Sequence, residues 1–130
     1  MQFSLLILGS PYTSQSATTA LRFAKAALDS GHDIYRVFFY NDGVNTGNSL
    51  ITPPQDEVNI PKQWQLLSQE YDIDLVICVS SALKRGIIDS TEAKRYEKET
   101  HNLYSTFEIS GLGQLVDANS QSDRLVTFGP

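Results

Sequence analysis

One cysteine, Cys78, stands where an apolar run gives way to small polar residues, Leu75-Val76-Ile77-Cys78-Val79-Ser80-Ser81. The run reads as a buried strand and the two serines as the N-cap of a helix, so the thiol falls where strand hands over to helix. Backbone N–H groups and the positive end of a helix dipole favour an anion there, and the thiolate is the nucleophilic form of cysteine. Cys78 is therefore a candidate sulfur nucleophile. A lone strand cysteine also serves as plain core filler, and position alone leaves both readings open. Lys84-Arg85 follow within about two helical turns. They either lower the thiol pKa further by their charge or compensate the C-terminal dipole of a short helix.

Other side chains offer less. His32 and His101 are the only histidines, and neither has metal-ligand spacing with Cys78 or with a carboxylate cluster. The carboxylate pairs Asp72/Asp74 and Asp56/Glu57 read as solvated turn charges. Gly9-Ser10-Pro11-Tyr12-Thr13-Ser14-Gln15-Ser16 has the hydroxyl content of a flavin-phosphate loop, but it matches neither phosphate-binding glycine motif and reads equally as a capped turn.

The elements that would position these groups alternate. Phe3 to Leu8 predicts a first strand, and Ala20, Leu21, Ala24, Ala27 and Leu28 form the apolar stripe of a helix that Gly31 ends. Asp33 to Tyr40 predicts a second strand. Asn41 to Val58 is rich in turn signals and reads as a long functional or mobile loop. Pro61 opens a helix with Ile60, Trp64, Leu67 and Tyr71 on one face, and Leu75 to Val79 is the third strand. A short helix over Ser80 to Arg85 stops at Gly86. Asp89 and Glu92 resemble a capping box that opens a charged helix through about Asn102. Phe107 to Ser110, Gly111 to Ser122 and Arg124 to Phe128 read as strand, helix and strand. This alternation predicts an α/β fold in one domain over residues 1–130: a mainly parallel five-stranded sheet with helices on both faces. Chemistry on such sheets sits beyond the carboxyl ends of the strands. The loop after Leu8, the Asn41 loop and Cys78 all meet that edge.

The bulk properties agree with a single small domain. The chain has 130 residues, 41% hydrophobic and 19% charged, with a net charge of −5. An acidic surface repels phosphate, which disfavours direct capture of nucleic acid. One cysteine forms no internal disulfide, no apolar run is long enough to cross a bilayer, and the first residues lack a basic leader. These features place the chain in the cytoplasm and off the membrane.

Several stretches fall in a familiar order. They are Gly31-His32 leading to Val37-Phe38-Phe39-Tyr40 and Asp42-Gly43-Val44; Ile77-Cys78-Val79 with Ala82-Leu83-Lys84-Arg85-Gly86; and Ser110-Gly111-Leu112-Gly113 before Asp123-Arg124-Leu125-Val126. Over nearly the whole chain this pattern resembles the DsrE-like family of sulfur-carrier proteins, with flavodoxin-like layering. The resemblance implies that Cys78 occupies the position of the cysteine that accepts sulfur as a persulfide. It implies TusB-like and TusC-like partner subunits in a hetero-oligomer, a TusA-like sulfur donor, and a TusE-like acceptor serving 2-thiouridine formation at the tRNA wobble position. No cofactor or metal enters such a transfer, and the chain itself needs no contact with tRNA. Ser80, Ser81, Lys84 and Arg85 are the expected stabilisers of the persulfide sulfur. The alternatives are a DsrE-type carrier in dissimilatory sulfur oxidation, a silent structural subunit, and a flavodoxin-like cofactor-binding module.

Overall fold

Strands that are apolar on both faces need cover on both sides. In the computed structural model, which describes residues 1–130, β1 (Gln2–Ile7), β2 (Asp33–Phe39), β3 (Asp74–Cys78), β4 (Phe107–Ser110) and β5 (Arg124–Phe128) form one sheet in the order β4-β3-β2-β1-β5. Every pairing is parallel. Helices α1 (Gln15–Asp29), α2 (Ile60–Tyr71), α3 (Val79–Lys84), α4 (Ser90–Arg95) and α5 (Gly113–Gln121) connect the strands. The expected α/β architecture is observed, and no helix is long and apolar enough to cross a membrane.

One face of the sheet carries α1 and α2. Phe3 of β1 meets Phe23 edge-on with ring centroids 5.4 Å apart, and Phe39 of β2 meets Trp64 at 5.8 Å. Ala20 and Ala24 are fully buried, and their small side chains let α1 sit close to Leu5, Ile7 and Val37. The other face carries α5, which β2 holds through a bulge. Phe3 pairs with Ile34 but Ser4 pairs with Arg36, so Tyr35 is the extra residue. The bulge turns Tyr35 and Arg36 toward the same helix. The Tyr35 hydroxyl donates to Asp117 Oδ2 at 2.7 Å, and Arg36 Nη1 donates to that oxygen and to the Gln114 carbonyl, each at 2.8 Å. Arg36 Nε donates to Asp74 Oδ2 at 2.7 Å. Asp74 is thus half of an ion pair with a buried arginine and not the free turn charge expected from the sequence.

Two further expectations are corrected. The segment after β2 is not a loose loop: Asn41–Gly47 forms a 3-10 helix with Gly43, Val44, Thr46 and Gly47 buried. Gly43 lies so close to the end of β1 that a β-carbon there would overlap the Ile7 carbonyl oxygen. Asn48 then pairs with Leu103, and the Tyr12 hydroxyl donates to the Val58 carbonyl at 2.7 Å. The charged helix capped by Asp89 ends at Arg95 and does not reach Asn102. Glu97 takes a left-handed conformation and the Lys98 amide bonds back to the Ala93 carbonyl at 2.8 Å, closing the helix. A run of charges without an apolar stripe gives a longer helix nothing to pack against.

The Asp117 carboxyl is held below its ordinary pKa, first by the Tyr35 hydroxyl and then by Arg36, against a smaller opposing effect of burial. A depressed carboxylate contributes stability that is complete above its unfolded pKa and is lost as pH falls through the folded value. Asp117→Asn should therefore lower the urea midpoint near neutral pH. The gap from wild type should close below about pH 3 as the unmodified carboxylate protonates. Urea titrations of both proteins across that range check this.

Candidate functional site

At the carboxyl edge of the sheet, β3 runs directly into α3. Cys78 itself is the N-cap, with extended backbone angles of φ −64° and ψ 125°. The sequence reading gave that cap to Ser80 and Ser81. They instead fill the first turn of α3, because the apolar run stays in register with β2 up to Ile77 and with β4 up to Cys78 and leaves no residue for a connection. Moving the cap back from Ser80 and Ser81 to Cys78 brings the thiol closer to the unpaired amides of the helix start.

Cys78 is 2% exposed, and its sulfur lies 3.5 Å from the Ser80 hydroxyl oxygen. Burial pushes the thiol pKa up. The hydroxyl and amide of Ser80 and the amide and hydroxyl of Ser81 together outweigh that effect, so the pKa lies below its ordinary value. Donors that hydrogen-bond the charged form favour it. The arrangement is a buried sulfur with preplaced donors, a site for an anionic nucleophile.

Neither of the two cations expected beside the thiol hydrogen-bonds to its sulfur. Lys84 is exposed in the last turn of α3, where its charge suits the helix C-terminus. Arg85 follows α3 and donates through Nε to Asp42 Oδ1 at 2.8 Å and through Nη1 to the Ser81 carbonyl at 3.1 Å. Neither cation appears among the causes of the lowered thiol pKa. The residues that do meet α3 were not singled out by sequence reasoning: the Asn41 amide donates to the Ser81 hydroxyl at 3.2 Å, and Asp42 holds Arg85. Only the adjacency of an Asn-Asp-Gly turn to a strand end hinted at them.

Other candidates stay apart from Cys78. His32 lies at the opposite edge, its Nδ1 3.2 Å from the Met1 amine, and His101 is exposed beyond α4. No three His, Cys, Asp or Glu side chains come together in a way that could hold a metal ion. The Gly9–Ser16 loop closes on itself. Ser14 caps α1, its hydroxyl lies 2.7 Å from that of Ser16, and a β-carbon on Gly9 would collide with both. Ser14 is the N-cap that the capped-turn reading expects, and the loop lines one side of an open pocket of about 370 Å³ with Asp42 and Pro130. A cleft of about 650 Å³ opens at the amino edge between Tyr35, Tyr71 and Asp72, across the sheet from the thiol.

The chain belongs to the DsrE/DsrF-like family, whose model matches residues 1–128. It is 52% identical over 129 residues to a candidate sulfurtransferase, DsrE, of Allochromatium vinosum, covering 99% of each chain. It is 44% identical to the sulfurtransferase TusD of Salmonella dublin, covering 98% of this chain and 100% of that one. It is 43% identical to a TusD homologue of Pseudomonas aeruginosa, covering 99% and 98%. The crystal structure of the ychN protein from E. coli superposes with a TM-score of 0.77 at 25% identity over 98% of this chain and 99% of that one.

The lowered thiol pKa predicts that the rate of Cys78 alkylation by iodoacetamide rises with pH along a curve centred below the free-cysteine value of about 8.5. A midpoint at or above that value removes the activation. The Cys78→Ser protein supplies the blank.

Proposed function

We propose that this sulfurtransferase of the DsrE/DsrF-like family carries sulfur as a persulfide on Cys78, one station in a protein-to-protein relay. The observation that carries the reading is the placement of the chain's only cysteine at the N-cap of α3, against the donors of Ser80 and Ser81. The Cys78 thiolate attacks the outer sulfur of a donor persulfide, R–S–SH. The new S–S bond forms as the donor's S–S bond breaks, giving Cys78–S–SH and R–S⁻. An acceptor thiolate later attacks the outer sulfur, and Cys78 leaves as the thiolate. Atoms and charge balance in both steps without an external oxidant, metal or flavin. A leaving thiolate is stabilised by the same donors that activate the nucleophile, so one set of groups serves both directions.

Burial at 2% shields the sulfur from over-oxidation, and it also requires local movement before another protein's cysteine can reach it. The neighbouring chain is sparsely packed. Ser110, the register partner of Cys78, leads into Gly111 and Gly113, where a β-carbon would meet nothing. Helix α5 starts there at Leu112, half-exposed and without a side-chain cap.

In this reading the donor is a TusA-like carrier and the acceptor a TusE-like protein that serves 2-thiouridine formation at the tRNA wobble position. TusB-like and TusC-like subunits complete a cytoplasmic hetero-oligomer. The chain's charge of −5 fits a carrier that hands sulfur to proteins and leaves tRNA to another component. A second reading places the same persulfide chemistry in dissimilatory sulfur oxidation. It is favoured by one observation, the 52% identity to DsrE of Allochromatium vinosum against 44% to TusD of Salmonella dublin. Adjacent genes for a dissimilatory sulfite reductase select this second reading.

Incubation with a cysteine desulfurase, cysteine and a TusA-like carrier should add the mass of one sulfur atom to the wild-type chain, reversibly with reductant. Cys78→Ser should gain none. No gain on the wild type from a carrier shown to be charged, or an equal gain on the variant, contradicts the proposal. Intact-mass spectrometry reads each case.

A further inference from the structure

The sheet has a second opening, at the edge away from the thiol. The cleft of about 650 Å³ at the amino ends of β2 and β3 is within the size range of small-molecule sites. Its base is apolar and its rim acidic, because an exposed aspartate precedes a buried isoleucine twice among the lining residues: Asp33 before Ile34 and Asp72 before Ile73. Asp74 lines it too, but Arg36 matches its charge. Asp33 and Asp72 form no ion pair. The Met1 amine on the same edge is turned to His32, 3.2 Å from Nδ1, and does not line the cleft.

Helix α2 ends at this cleft. Its last turn carries Glu70 and no basic residue, and Asp72 caps it. A helix C-terminus favours a cation, so this end is left uncompensated. The Tyr71 ring beside Asp72 is 42% exposed, and a ring face attracts a cation. One observation is independent of charge. Thr106 lines the cleft, and its hydroxyl oxygen is buried with no hydrogen-bond partner in the chain. Buried polar groups are almost always paired, so this hydroxyl marks a missing partner.

We propose that the cleft is a binding site for a small organic cation. An ammonium or guanidinium group sits between the Asp33 and Asp72 carboxylates at the end of α2, and the Thr106 hydroxyl accepts a hydrogen bond from it. The aliphatic stem of the ligand lies on Tyr71, Ile34 and Ile73. Sulfur transfer uses none of these residues, so the inference stands or falls apart from the persulfide reading.

Agmatine is a suitable probe, since it joins a guanidinium to an ammonium through a short methylene stem, and butanediol is its neutral counterpart. Titrated into the isotope-labelled full-length chain, agmatine should saturably shift the amide resonances of Asp33, Tyr71, Ile73 and Thr106 and leave those of Ser80 and Ser81 in place. Asp72→Asn should weaken binding by about threefold, and Asp33→Asn with Asp72→Asn by about tenfold. Asparagine tolerates the left-handed backbone that Asp72 adopts at φ 56°, so this variant keeps the cap. Thermal melts by circular dichroism confirm that each variant is folded, and Asp33→Asn alone keeps the test open if Asp72→Asn is not. Asp56→Asn, which removes an acid outside the cleft, should leave the affinity unchanged. Any of three results overturns the site: no saturable shift of the cleft amides, equal binding of butanediol, or a loss with Asp56→Asn as large as with Asp72→Asn.

Discussion

A sulfur anion that is almost fully covered by protein has lost its water, and something must replace it. In this fold the replacement is a single helical turn. Cys78 ends β3 and caps α3 at once, so its sulfur meets the amides and hydroxyls of Ser80 and Ser81 that no earlier residue of the helix can satisfy. The balance is between desolvation, the largest single effect on the thiol, and several smaller hydrogen bonds that together exceed it. Moving the strand end by one residue would rotate the side chain to the other face of the sheet and lose every donor at once. The tight parallel register of β3 between β2 and β4 is therefore a condition of the chemistry, as well as of the fold.

The two edges of the sheet divide the work. At the amino edge a buried arginine and its two carboxylates tie α5 to β2 and β3. At the carboxyl edge the same helix begins with glycines and no cap, beside the thiol. Dense ion pairing at one end and sparse packing at the other suit the proposed transfer, in which the sulfur is covered between encounters and reached during them. The 3-10 helix after β2 is the firmly packed part of the carboxyl edge. Gly43 wedges against the end of β1, and its neighbours Asn41 and Asp42 reach α3.

Much of this was legible before the structure. Unbroken apolar runs gave the strands, three- and four-residue apolar spacing gave α1 and α2, and Cys78 stood out by its position at a strand-to-helix junction. Three of the misreadings share a cause, since each depended on contacts far apart in the chain. Asn41 to Gly47 looked like a loop because it is rich in turn formers, yet Gly43, Val44, Thr46 and Gly47 are buried where the segment packs on α3, β2 and β3. Asp74 looked solvated because its partner Arg36 is 38 residues away. Arg85 looked like a neighbour of the thiol because it lies near in sequence, while its partner Asp42 is 43 residues back. A charge pattern reports which residues are close along one helix and says nothing of which opposite charge arrives from another strand. The family resemblance located the cysteine but carried no information on what holds it.

The account stands on one claim: the species that takes up sulfur is the Cys78 thiolate, formed by this junction. Single-turnover transfer from a persulfidated carrier protein, followed by rapid quench and mass spectrometry across a pH series, tests it most directly. Transfer should rise with pH along the same curve, and with the same midpoint, as alkylation of Cys78. Uptake that follows a different titration, or that is flat across the pH range where the thiol ionises, contradicts it.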